Sequence, residues 1–115
     1  MTLLDATTVW VDVCAQKELI PNRGVCALVG PYQVALFLMS DAETVYAISN
    51  YDPFSRAYLL SRGIVGSTGD CPKVASPVYK QSFDLRTGVC LDDPAVSVAT
   101  FATRVIGGRV EVELP

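Results

Sequence analysis

Near the end of the chain, Val110, Val112 and Leu114 alternate with Arg109, Glu111 and Glu113, and near its start Val9, Val11 and Val13 alternate with Trp10, Asp12 and Cys14. A period of two puts one set of side chains on each face of an extended strand, so such a segment buries only one face and has to pair with other strands to do so. Further strand-like runs lie at residues 25–29 and 33–39, on either side of Gly30 and Pro31, and at 44–49, just after Asp41 and Ala42. The first two of these runs read as a hairpin or meander, because Gly and Pro punctuate strands. Pro21, Asn22 and Gly24 mark an earlier turn.

Residues 50–69 break the pattern. Ala57, Leu59 and Leu60 supply at most one or two helical turns of apolar spacing, so this stretch reads as a structured loop. Strand-like segments resume at 73–75, 79–85 and 89–91, with Arg86, Thr87 and Gly88 as a tight turn between the last two. Residues 96–105 and 109–114 form a final pair around Ile106-Gly107-Gly108, a hairpin signal because glycine tolerates the positive φ of short turns. The expectation is an all-β fold: one antiparallel sandwich or barrel over residues 1–115, with its core at about 9–114, two elaborated loops and little helix. A chain of 115 residues buries roughly two-thirds of its unfolded surface, enough for one core without staples.

Several function classes are excluded by composition. Nine basic and twelve acidic residues give a net charge of −3 with no run of Lys or Arg, which speaks against nucleic acid as a partner. There is no histidine, so imidazole catalysis and histidine-bound metals are out of reach. Residues 1–5 lack the cationic start and small-residue cleavage site of a secretory signal, and no apolar run approaches the roughly 20 residues that span a bilayer. The expectation is a soluble, cytoplasmic protein. Its four cysteines, Cys14, Cys26, Cys71 and Cys90, are widely spaced and form no Cys-x-x-Cys pair, so they read as free thiols, with Cys71 in the most polar surroundings. Half the residues are hydrophobic, which leaves apolar surface for a protein partner.

The stretch Ser76-Pro77-Val78-Tyr79-Lys80, followed by Gln81, Ser82 and then Phe83-Asp84-Leu85-Arg86-Thr87-Gly88, resembles the second cluster-binding loop and following hairpin of a Rieske domain. That family carries Cys-Pro-x-His-Gly, two further residues and then Phe-Asp-Leu-x-Thr-Gly. The register puts Ser76 at the cysteine, Tyr79 at the histidine and Lys80 at the glycine. Upstream, Ser49-Asn50-Tyr51-Asp52-Pro53-Phe54 resembles the first loop, Ser-Asn and then Cys-Pro-His, with Asp52 at the cysteine and Phe54 at the histidine. Cys71-Pro72 is a decoy, five residues too early relative to Phe83 and with Val74 where a histidine would stand. A Rieske centre needs two thiolates on one iron and two imidazoles on the other, and none of the four is present.

A Rieske-like chain with all four ligands replaced resembles the small subunits of assimilatory NAD(P)H-dependent nitrite reductases. Pro21-Asn22-Arg23-Gly24-Val25-Cys26-Ala27-Leu28, Leu60-Ser61-Arg62-Gly63 and Gly88-Val89-Cys90-Leu91-Asp92-Asp93 match that subfamily as well. The resemblance implies an accessory subunit without a cofactor, whose large subunit carries flavin, an iron-sulfur cluster and siroheme and reduces nitrite to ammonium. Two other classes remain open. One is a free-standing binding module on the same fold; the other is a ferredoxin holding a cluster through the four cysteines.

No residue is a candidate for catalysis, for cofactor binding or for metal binding. Asp52 reads as an Asx turn before Pro53, against alternatives as a catalytic carboxylate or an oxygen ligand for a metal. Asp92 and Asp93 read as a solvated turn before Pro94 rather than a cation site. Phe54 and Tyr79 either fill the volume a cluster would occupy or present rings to a partner. Arg62 and Lys80 are either solvated loop charges or contacts for an acidic patch. Phe54, Arg62, Tyr79 and Lys80 are thus the candidates for binding the large subunit.

Overall fold

Residues 34–39 carry apolar side chains at consecutive rather than alternate positions, and the architecture supplies the reason. The computed structural model describes residues 9–115; the reading of residues 1–5 as lacking a secretory signal lies outside them. The strands are β1 (Val9–Ala15), β2 (Gly24–Val29), β3 (Tyr32–Leu38), β4 (Val45–Ser49), β5 (Tyr51–Asp52), β6 (Ala57–Tyr58), β7 (Ile64–Thr68), β8 (Cys71–Ala75), β9 (Ser82–Asp84), β10 (Thr100–Phe101), β11 (Thr103–Ile106) and β12 (Arg109–Leu114). Helix is confined, among the described residues, to single 3-10 turns at Gln16–Glu18 and Leu60–Arg62.

Strand β3 lies inside a four-stranded antiparallel sheet of order β10-β4-β3-β2 and is covered on both faces. Val34, Leu36 and Leu38 join Val45 and Ala47 of β4 and Val110 and Val112 of β12 in one core, between this sheet and the three-stranded sheet β1-β12-β11. Ala35 and Phe37 point the other way, into a second core with Ile48, Leu60, Val74, Phe83, Leu85 and Cys90. A strand buried on both faces reads as a continuous apolar run, whereas β1 and β12, with one buried face each, alternate.

The two sheets are joined where the chain passes from β10, paired to β4, into β11, paired to β12. The Thr103 hydroxyl donates to the Val45 carbonyl at 2.6 Å across that junction. Gly107 and Gly108 both have positive φ, 57° and 78°, as the turn between β11 and β12 demands. β1 adds to β12 from Val9 opposite Leu114 to Ala15 opposite Arg109, with a bulge between Asp12 and Cys14. The sheet β7-β8-β9 and the hairpin β5-β6 stand over the second core and carry the two elaborated loops.

The all-β antiparallel expectation agrees with this architecture, but three local readings do not. Residues 50–69 are not all loop: β7 pairs with β8 from Ile64 opposite Ala75 to Thr68 opposite Cys71. Four of its five residues are exposed, so it carries no alternation and owes its conformation to ladder hydrogen bonds rather than burial. Residues 96–105 are not one strand, because the change of sheet at Ala102 splits them into β10 and β11. The strands read at 79–85 and 89–91 shrink to β9 and to isolated bridges, Phe83 with Cys90 and Val89 with Ser97. Between them, Gly88 has φ +79°, and a Cβ there would run into the Val98 carbonyl, so the turn requires glycine.

All four cysteines are free, but Cys26, on the edge strand β2, is the exposed one and Cys71 is half-buried. No helix of the described residues is long and apolar enough to cross a membrane. Phe37 is fully buried in the second core, so Phe37→Ala is expected to cost about 3–5 kcal/mol of folding free energy, measured by denaturant melts.

Candidate functional site

Beyond β4 the chain turns out of the sheet at Asn50, whose side chain is almost completely buried. Its carboxamide oxygen accepts the Ser61 N–H at 2.7 Å, and its amide nitrogen donates to Gln33 Oε1 at 3.5 Å and Cys26 Sγ at 3.4 Å. The Asn50 carbonyl also accepts the Leu60 N–H at 3.0 Å. One residue therefore satisfies polar groups from β2, β3 and the Leu60–Arg62 turn, and it sets the base of the first loop.

Two residues on, Asp52 has no exposed surface. Its Oδ1 accepts the Phe54 N–H at 2.9 Å, the Asx turn expected before Pro53. Its Oδ2 accepts the Ser55 hydroxyl at 2.9 Å and the Ser76 hydroxyl at 2.5 Å. Ser76, at the head of the second loop, is also buried. Its N–H donates to the Gln81 carbonyl at 2.9 Å, closing that loop, and its oxygen accepts the Val78 N–H at 3.3 Å. The two positions at which the resemblance places cysteines are thus bonded to each other.

The remaining two positions diverge. Phe54 is half-buried against the second core, its ring centroid 6.1 Å from that of Phe83. Tyr79 is 60% exposed. Lys80 and Arg62 are exposed, and neither forms an ion pair with another described residue. Lys80 has φ +65°, the left-handed conformation for which the Rieske pattern has glycine. Gln81 Oε1 is buried without a hydrogen-bond partner.

Burial pushes the Asp52 carboxyl up, but the Ser76 hydroxyl, the Phe54 N–H and the Ser55 hydroxyl outweigh it and hold its pKa below the ordinary value. Asp84 behaves alike: burial raises it, while the Arg86 N–H and guanidinium and the Cys71 thiol bring it below the usual range. Both carboxylates are anionic at neutral pH with their lone pairs engaged, so neither is poised to move protons.

Nor do these residues fit a [2Fe-2S] cluster. The site offers no imidazole and no thiolate, Asp52 and Ser76 close on one another, the Phe54 ring turns into the core and Tyr79 turns to solvent. The four cysteines do not converge either. Cys14 packs against the core between the sheets, Cys90 lies in the second core, and no group of three or more potential metal ligands forms among the described residues.

A cleft of about 580 Å³ beside the first loop carries no motif and was not legible in the sequence. Tyr32, Tyr51, Tyr58 and Phe101 line it, drawn from three separate segments.

The fold recurs in known proteins. A family model described as a Rieske-like [2Fe-2S] domain matches residues 9–113. The nitrite reductase (NADH) small subunit of Escherichia coli (strain K12) is 42% identical over 103 residues, covering 90% of this chain and 95% of that protein. The solution structure of the nitrite reductase [NAD(P)H] small subunit from Erwinia carotovora superposes with a TM-score of 0.78 at 48% identity, covering 92% of this chain and 82% of that one. A nitrite reductase [NAD(P)H] large subunit of Klebsiella oxytoca is 38% identical over 103 residues, which are 90% of this chain but only 11% of that protein.

Three outcomes follow from the loops. Removing the Ser76 hydroxyl strips the buried Asp52 carboxylate of a donor, so Ser76→Ala should cost about 1–3 kcal/mol in urea melts. Because the folded pKa values of Asp52 and Asp84 lie below their unfolded values near 3.9, their stabilisation is complete above about pH 5 and is lost as pH falls through the folded values. Asp52→Asn should flatten that acid limb. Lys80→Gly, which relieves a left-handed lysine, should raise stability by about 0.5–1 kcal/mol in the same melts.

Proposed function

The chain belongs to the family of nitrite reductase small subunits within the Rieske-like [2Fe-2S] domains, and we propose that it works as a single-domain, cofactor-free partner of a large subunit. In this reading the large subunit holds flavin, an iron-sulfur cluster and siroheme, and reduces nitrite to ammonium with electrons from NAD(P)H in the cytoplasm, serving nitrogen assimilation. The small subunit contributes to assembly, stability or the shape of the large one. The observation that carries the proposal is the bond between Asp52 and Ser76, which occupies with a hydrogen bond the place where a Rieske domain ties its loops through iron. The match to part of a Klebsiella large subunit supports it further, since in that protein the same module belongs to the large-subunit polypeptide.

The chain's own residues offer no redox chemistry and no activated nucleophile, so its part is binding. Tyr79 and Lys80 are exposed on the second loop and Arg62 on the Leu60–Arg62 turn, and we assign all three contacts with the large subunit, while Phe54 serves mainly to fill the second core. Acidic groups on the large subunit suit the two unpaired cations.

The test uses the tagged chain in its native host. A large siroheme protein should co-purify with it, and nitrite-dependent oxidation of NAD(P)H should appear in that complex and be absent from the chain alone. The separated chain should be colourless. Near-stoichiometric iron and acid-labile sulfide in it after anaerobic purification would overturn the cofactor-free reading.

A further inference from the structure

Leu28 is 74% exposed, Tyr58 58% and Tyr32 41%, and all three border the cleft of about 580 Å³ beside the first loop. The rings come in two pairs, Tyr32 with Phe101 at 5.7 Å between centroids and Tyr51 with Tyr58 at 5.0 Å. Among the described residues, no charged side chain lines the cleft. A surface rich in tyrosine and free of charge has the composition of the desolvated centre of a protein interface, where a few aromatic anchors carry most of the binding energy. Rings already packed against each other lose little further freedom when covered.

We propose that this cleft receives an uncharged aliphatic or aromatic projection of the nitrite reductase large subunit. The inference rests on the small-subunit reading above and names where the partner sits. Its support is the position of the chain ends. Val9 pairs opposite Leu114, and Pro115 itself lines the cleft, so both ends of the described chain lie at its border. In the Klebsiella relative the matching segment is 11% of the polypeptide, and the rest of that protein is joined to the module through one or both of those ends. A covalent neighbour leaving from the rim of the cleft is held there at high effective concentration, which favours this face over the far side of the fold. The cleft also reaches the β5-β6 hairpin, so it continues the surface of the loop tip.

The experiment is a binding titration of the purified large subunit with the chain and with Leu28→Asp, Tyr58→Ala and Tyr79→Ala, each checked by a thermal melt and by sedimentation alone. Leu28 and Tyr58 are exposed, so both cleft variants should melt like the parent and bind at least about thirtyfold more weakly. Tyr79→Ala reports on the tip independently of the cleft. If the parent binds and both cleft variants bind as tightly, the cleft assignment is overturned while the small-subunit reading stands. If the parent itself fails to bind, the small-subunit reading fails and the cleft assignment with it. A chain that sediments as a dimer, dissociated by Leu28→Asp, would instead give the cleft to a second copy and overturn the proposal.

Discussion

Leu36 and Phe37 are neighbours on one strand, yet they lie in different cores, and everything else in the fold is arranged around that fact. The face bearing Leu36 needs a cover, which the sheet β1-β12-β11 provides through Val110 and Val112. The face bearing Phe37 needs another, which is assembled from Leu60, Val74, Phe83, Leu85 and Cys90. The second cover consists largely of short strands and turns, so it holds its shape only because it is seated on β3 and β4. The two elaborated loops project from this dependent layer, and their geometry is only as fixed as the core beneath them.

In a cluster-bearing Rieske domain, metal-ligand bonds hold two such loops together. Here the tie is a buried carboxylate with three side-chain or backbone donors, one of them from the opposite loop. Hydrogen bonds to a charged group contribute about 1.5–3 kcal/mol each, less than a metal site, and the loops accordingly take other support. Asn50 pins the first loop to the Leu60–Arg62 turn, and Phe54 stacks toward Phe83. The substitutions act as a set: an acid able to accept several donors, a hydroxyl able to reach it, and a ring where an imidazole would face iron. The two loops thus keep their mutual position with no thiolate or imidazole at these four positions.

Retaining the shape matters if the function lies in surfaces. The carboxylates with altered acidity are locked in local turns, and no imidazole exists to move protons. Outward the fold presents exposed cations at Arg62 and Lys80, unpaired among the described residues, and an aromatic cleft that no charged side chain of the described residues lines. In the proposed complex, charges of this kind would govern encounter and orientation, and desolvated rings would govern lifetime.

Strand alternation in β1 and β12, the glycine pair of the β11-β12 hairpin and the Asx turn at Asp52 are dictated within a few residues and so are legible along the chain, whereas the demand for glycine at position 88 comes from the distant Val98 carbonyl. The absence of cluster ligands at Asp52, Phe54, Ser76 and Tyr79 was legible too, because the surrounding motif sets the register. That Asp52 and Ser76 bond to each other across 24 residues was not, nor that Phe54 turns inward while Tyr79 turns out. β7 escaped notice because an exposed edge strand leaves no period in its sequence. The cleft escaped because Leu28, Tyr58 and Phe101 meet only through the sheet order β10-β4-β3-β2 and the hairpin that leaves it. Local conformational preference acts through a handful of adjacent bonds, whereas these contacts depend on which strands lie side by side, and only the burial of the two faces of β3 decides that.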